Sequence, residues 1–192
     1  MKDRQCPPRA LTVAGSDSGG GAGIQADLKT FQSFGCFGMS VITALTAQNS
    51  LGVQGVHRVP PDFVKLQLES VFSDIGVDAL KCGMLADEEI ITAVAEVLER
   101  WPEAPLVLDT VLVAKSGDLL LEDRAVEVMV RELFPRGQDR RLLGLAAAIG
   151  QRLDHHPRMP GLEHTAQLDE VVVNGPAGAL VIFLQRLAGG TV

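Results

Sequence analysis

The chain has 192 residues, 46% of them apolar and 21% charged, with a net charge of -7. That is room for one ordinary domain with a sizeable core, and the composition excludes a disordered chain. The acidic balance argues against a nucleic-acid binder, which needs a basic face to neutralise phosphates, but it says nothing against a small-molecule site.

No apolar run approaches the ~20 residues of a membrane span. The segment Met1 to Pro8 carries basic residues but is not followed by a signal-type apolar core. The expectation is a cytoplasmic protein with no membrane partner. Cys6, Cys36 and Cys82 are an odd set with wide spacing and no CxxC pair. They read as reduced thiols, Cys36 and Cys82 as small apolar residues near strand ends, and no zinc site is expected.

In chain order, Ala10 to Ala14 predicts a first strand. Gly23 to Phe34 predicts a helix with Ile24, Leu28 and Phe31 on one face. Gly35 and Gly38 bracket a turn, and Met39 to Ala47, rich in β-branched residues, predicts a second strand. Pro60-Pro61-Asp62 opens a second helix, with Asp62 as its expected cap and Phe63, Leu66, Val71 and Phe72 as its apolar contacts. Val77 to Cys82 predicts a third strand, and Asp87 to Arg100 a third helix. The acidic Asp87-Glu88-Glu89 and the terminal Arg100 complement that helix dipole, and Ile90, Ile91, Val94, Val97 and Leu98 form its buried face. Leu106 to Asp109 predicts a fourth strand, and Arg124 to Phe134 a further helix.

Strand–helix–strand units of roughly 30 residues signal a parallel sheet, in which ligands sit at the carboxyl ends of the strands. Those ends carry Gly15 to Asp17, Gln48-Asn49, Gly83-Met84 and Asp109-Thr110. The pattern changes after Arg136. Gly137 to Arg141 is a polar break, Leu142 to Leu153 reads as a helix, and Asp154 to Thr165 reads as a loop. Val171 to Val173 reads as a strand before the turn Asn174 to Gly178 and the apolar run Ala179 to Leu187. The expected division is therefore 1–136 and 137–192.

The segment Gly15-Ser16-Asp17-Ser18-Gly19-Gly20-Gly21-Ala22-Gly23 lies between a strand and a helix. Its glycines permit positive φ and close approach of a ligand, and the helix start offers N–H groups to an anion or a polar ring. A GxxxxGK[ST] phosphate loop fails, because no Lys follows any of these glycines. A dinucleotide fingerprint is partly met by Gly21-Ala22-Gly23-Ile24-Gln25-Ala26, but the next strand ends in Thr46-Ala47-Gln48-Asn49, with no acid for a ribose. A plain turn remains the alternative to a small-molecule cradle, although five small residues, Gly19 to Gly23, exceed what a turn needs.

The run Ala14 to Thr30 (AGSDSGGGAGIQADLKT) resembles the opening of the hydroxymethylpyrimidine/phosphomethylpyrimidine kinase family, within the ribokinase-like superfamily. The resemblance continues through Ser40 to Asn49, Pro61 to Val64, Leu68 to Asp74, Lys81 to Leu85 and Val107 to Asp118. These segments, matched in order, cover about residues 10–135.

The resemblance implies an α/β fold: a ribokinase-like parallel-sheet core with flanking helices, its C-terminal half truncated or replaced. It also implies that the pyrimidine is held by Gln48, with help from Gly15, Asp27 and Met84. The chemistry agrees. A glutamine amide offers a donor and an acceptor to an aminopyrimidine edge, a carboxylate accepts from an amino or hydroxymethyl group, and a thioether is a soft surface for a ring face. By the same resemblance Asp109 lies near the phosphates and their magnesium, so ATP and Mg²⁺ are the implied cofactors and hydroxymethylpyrimidine the small-molecule partner. Lys115 is given no role.

Such kinases carry, in their second half, a Thr-Pro-Asn segment and a Gly-Thr-Gly motif opening a helix, followed by a Cys or Asp that activates the substrate hydroxyl. Neither motif occurs after Arg136, and Gly189-Gly190-Thr191 is the nearest string. No catalytic residue is therefore assigned. Phosphoryl transfer rests on positioning and charge stabilisation, so loss of an anion hole removes several kcal/mol of transition-state binding. Two accounts suit residues 137–192: a reading-frame shift in an ancestral kinase gene, or a genuine replacement. His155, His156 and His164 invite a metal reading, but a His- and Pro-rich segment is ordinarily loop, and no metal site is expected.

The expected function is ATP-dependent phosphorylation of 4-amino-5-hydroxymethyl-2-methylpyrimidine and its monophosphate, in thiamine diphosphate biosynthesis. The competing expectations are a non-catalytic pyrimidine-binding or remnant protein, and a nucleotide- or flavin-binding module that uses the glycine loop for phosphate. Half a sheet leaves an edge and an apolar face uncovered, so self-association is expected.

Overall fold

A computed structural model describes residues 6–109 and 123–133. The elements expected after Arg136, and with them the division at residue 136, lie outside these residues, as do Thr110 and Lys115. Strand β1 spans Arg9–Asp17, β2 Phe37–Asn49, β3 Gly52–Arg58, β4 Ala79–Cys82 and β5 Leu106–Leu108. Helix α1 spans Gly23–Ser33, α2 Pro61–Ser70, α3 Glu88–Leu98 and α4 Asp123–Glu132, and a π-helical turn over Val71–Ile75 extends α2.

The sheet order is β3-β2-β1-β4-β5, with β1 at the centre. β1 runs parallel to both β2 and β4, and β4 parallel to β5. The chain leaves β1 through α1 to β2 on one side, then returns to β4 on the other. That reversal makes a topological switch point at the carboxyl end of β1, the place where α/β sheets hold their ligands.

Alternation along the strands divides the core. Leu11 and Val13 of β1, Met39 and Val41 of β2, and Leu80 and Cys82 of β4 pack with α2, α3 and α4 in the main cluster. Ala10 faces the other way, against Phe31, Cys36 and Leu28 on the α1 side. Thr12 and Lys81 are register partners across β1 and β4. By the period of two they point to the α1 side as well. The expected face of α3 is buried in full, and each such side chain contributes about 1.5–3 kcal/mol. Asp87 caps α3, its carboxylate accepting the Ile90 N–H at 2.9 Å.

The core of the sheet is parallel as expected, and β3, an edge strand the sequence did not announce, adds to it antiparallel to β2. β3 has no buried residue, so it lacks the alternation that marks a half-buried strand. Two expectations for α2 are corrected. Its inner stripe is Val64 and Leu68, continued by Phe72, whereas Phe63 and Leu66 are 55% and 53% exposed. They lie off the i, i+4, i+8 stripe. Asp62 is not the cap of α2. Pro60 occupies that position and its carbonyl accepts from the Phe63 and Val64 N–H groups, while Asp62 sits in the first turn. Among the described residues no helix is long and apolar enough to cross a membrane.

Candidate functional site

The glycine-rich loop closes on its own aspartate. Asp17, at the end of β1, is buried, and its Oδ1 accepts the Gly19 N–H at 2.7 Å. Its Oδ2 accepts the Gly21 and Ala22 N–H groups at 2.9 and 2.8 Å. The amides expected to greet an anion are thus occupied by an internal carboxylate. A phosphate placed there would meet negative charge, which removes the basis for a nucleotide or flavin phosphate on this loop. Gln25 of α1 braces the same corner, accepting the Asp17 N–H at 2.8 Å and donating to Ser16 Oγ at 2.8 Å. Gly23 has φ +55, and a Cβ there would overlap the Gly15 carbonyl oxygen. Only glycine fits where α1 begins.

Of the residues singled out from the sequence, Gly15 and Met84 lie together. A Cβ on Gly15 would stand 2.5 Å from Met84 Cε, so the half-buried methionine packs its methyl group directly over the buried, bare backbone of β1. Met84 is held from behind: the buried Thr43 hydroxyl donates to the Met84 carbonyl at 2.7 Å. Thr43 follows Met39 and Val41 in the alternation of β2 and stands where that strand bulges against β1, Ala14 pairing with Ile42 but Ser16 with Leu45. Gln48 stands on the loop side. Its N–H donates to Ser18 Oγ, and the Ser18 hydroxyl donates to its carbonyl, both at 2.8 Å. The Gln48 amide Oε1 accepts weakly from Thr46 Oγ1 at 3.4 Å, and its Nε2 has no partner among the described residues.

Asp27 and Asp109 meet on a third residue. Lys81 Nζ donates to Asp27 Oδ1 and Oδ2 at 2.9 and 3.1 Å and pairs with Asp109 Oδ2 at 3.1 Å. Asp27 Oδ2 also accepts the Thr12 hydroxyl at 2.6 Å. The Asp27 side chain is 8% exposed and that of Asp109 17%. Burial works against the Lys81 charge, but Asp109 and Asp27 outweigh it, and its pKa lies above the ordinary lysine value. Nearby, burial pushes the Cys82 thiol up to about 12, so it is neutral and no nucleophile.

Asp17, Thr43 and Lys81 escaped the residue-by-residue reading. For Lys81 a signal exists: a lysine inside the short apolar strand Ala79-Leu80-Lys81-Cys82 must be paired if that strand is buried. Nothing local marks Thr43, whose partner Met84 lies 41 residues along the chain. Among the described residues no group of three or more His, Cys, Asp or Glu is placed to hold a metal ion by itself.

The family model for phosphomethylpyrimidine kinase matches residues 17–138. The chain belongs to the phosphomethylpyrimidine kinase family. Among curated members, the hydroxymethylpyrimidine/phosphomethylpyrimidine kinase of Salmonella typhimurium is 58% identical over 127 residues, 66% of this chain and 48% of that protein. The Streptomyces coelicolor protein of the same name is 47% identical over 182 residues, 95% of this chain and 63% of that one. The chain spans about half the length of the first of these relatives. Among solved structures, the phosphomethylpyrimidine kinase of Clostridium difficile 630 superposes with a TM-score of 0.64 at 48% identity, covering 68% of this chain and 56% of that one. Pyridoxal kinase from Staphylococcus aureus in complex with AMP-PCP gives a TM-score of 0.60 at 39% identity, covering 69% and 48%. This phosphomethylpyrimidine kinase family member thus shares the ribokinase-like α/β fold of these kinases.

Proposed function

We propose that the site at the carboxyl end of β1 binds hydroxymethylpyrimidine, and that the chain serves the ATP-dependent phosphorylation of that compound and its monophosphate in thiamine diphosphate biosynthesis. The observation that carries this reading is the packing of Met84 Cε over Gly15 at the switch point of the sheet. The half-buried thioether is a soft apolar surface suited to a planar ring, and glycine at position 15 gives its methyl group room. The Gln48 amide supplies a donor and an acceptor for the aminopyrimidine edge. An ionised carboxylate has about four lone-pair sites, and Asp27 spends three of them on Thr12 and Lys81. The remaining one is proposed to accept from the pyrimidine amino or hydroxymethyl group.

Asp109 is the residue fitted to a magnesium ion that arrives with phosphates. Its Oδ2 is held on Lys81, and Mg²⁺ commonly takes only one or two protein carboxylates. Mg-ATP, when bound, supplies the phosphoryl group to the hydroxymethyl oxygen. The chain's own described residues hold and orient the pyrimidine and keep two carboxylates on one ammonium beside it.

Isothermal titration of the full chain with hydroxymethylpyrimidine and with Mg-ATP, followed by a phosphoryl-transfer assay, tests the proposal. Saturable pyrimidine binding with turnover is the expected result. Binding without turnover assigns the chain the pyrimidine-holding role alone, and no pyrimidine binding refutes the reading.

A further inference from the structure

Four elements meet in one cluster around Lys81 and Asp27. Asp27 comes from α1, Thr12 from β1, Lys81 from β4 and Asp109 from the end of β5. A Cβ on Gly83 would stand 2.9 Å from Ala14 Cβ and 3.5 Å from Lys81 Nζ, so the bare backbone leaves the lysine its room. The ammonium has three protons and faces three carboxylate oxygens at 2.9–3.1 Å. Two anions share one cation, so the group carries one net negative charge. Each carboxylate competes with the other for the same ammonium, in surroundings too buried for water to level the difference.

We propose that Lys81 is a positioning residue that couples the pyrimidine-facing carboxylate Asp27 to the phosphate-facing carboxylate Asp109. It rests on the roles proposed above for those two residues. When the charge at Asp109 is neutralised, the ammonium is drawn wholly to Asp27, whose lone pairs then accept less from a bound pyrimidine. By linkage the effect is reciprocal: a donor engaging Asp27 strengthens the hold of Lys81 on Asp109. The coupling needs no moving domain, because one buried side chain serves both sites.

A double-mutant cycle on the full chain tests this, with hydroxymethylpyrimidine affinity read by titration calorimetry. Asp109→Asn is expected to weaken binding at least about fivefold in the wild-type background, the lower end of typical couplings, and less than about twofold in a Lys81→Met background. An equal effect in both backgrounds, or none in the first, overturns the proposal. If Lys81→Met does not fold, ¹⁵N-lysine NMR decides. The buried, slowly exchanging ammonium resonance shifts in both Asp27→Asn and Asp109→Asn if the lysine is shared, and a resonance indifferent to either variant overturns it. Absence of pyrimidine binding by the wild type strikes at the proposed ligand, and the ammonium spectra still judge the shared lysine.

Discussion

Replacing Asp17 by alanine removes an anion from inside the glycine loop. The carboxylate accepts three backbone N–H groups at 2.7, 2.9 and 2.8 Å, and it is buried. A hydrogen bond to a charged group contributes about 1.5–3 kcal/mol net. The three do not add, because Gly19, Gly21 and Ala22 lie exposed and water takes up the freed donors. The expected loss is that of one such bond or slightly more, about 2–4 kcal/mol. Asp17→Asn rescues little, since its one oxygen cannot serve both the Gly19 N–H and the Gly21–Ala22 pair, and its NH₂ faces a donor. Urea unfolding followed through Trp101 reads the loss as a lower midpoint at unchanged slope. The alanine variant also uncovers an anion site, so inorganic phosphate should restore part of its stability by mass action and leave the wild type unaffected. A loss under about 0.5 kcal/mol, within the range of ordinary surface substitutions, or equal stabilisation of both proteins by phosphate, refutes the reasoning.

Gly15→Ala places a methyl group against Met84 Cε, the free end of a flexible side chain, so the fold should survive while pyrimidine affinity falls about tenfold or more; calorimetry beside a melting curve separates the two. Gly23→Ala meets both a left-handed backbone and the Gly15 carbonyl, and should cost about 3 kcal/mol or more, read as loss of folded protein in urea. The Arg9 guanidinium holds the Asp78 carboxyl below its ordinary value by hydrogen bonding, against some desolvation. A lowered carboxylate pKa stabilises above the unfolded value and is lost as pH falls through the folded one. Asp78→Asn should therefore flatten the acid limb of stability below about pH 4, and an unchanged limb would count against the pair. Leu51, Val53 and Val56 stand exposed on and beside the edge strand β3, so the chain is expected to self-associate in size-exclusion chromatography, and a monodisperse monomer would argue otherwise.

The order of strands and helices was legible in the sequence because most of them bury one face. The residues Ile90, Ile91, Val94, Val97 and Leu98 announce α3 by periodicity, while β1, buried on both faces, is announced by the short apolar run Ala10 to Ala14. β3 was not legible, since a strand exposed along its length has no face to alternate. Its trace is the turn before it, where Asn49 Oδ1 accepts the Leu51 N–H at 2.9 Å ahead of Gly52. The buried stripe of α2 also depended on where the helix lands, and Phe63 and Leu66 lost out to Val64 and Leu68.

The same division holds at the site. Sequence by itself determined that Gly15, Gln48, Met84 and Asp109 gather at the carboxyl ends of the strands, because strand direction and length place them there. It also determined that the loop from Gly15 to Gly23 needs glycine. Only tertiary structure decided what fills that loop and what joins the carboxylates. Asp17 turns back onto the amides, and Lys81, 54 residues along the chain from Asp27, lies within hydrogen-bond reach of it. The Asp17 contacts span only two to five residues, whereas the Lys81 pairing follows from the register of β1 against β4, which no local pattern encodes, and from burial, which makes an unpaired charge too costly to leave.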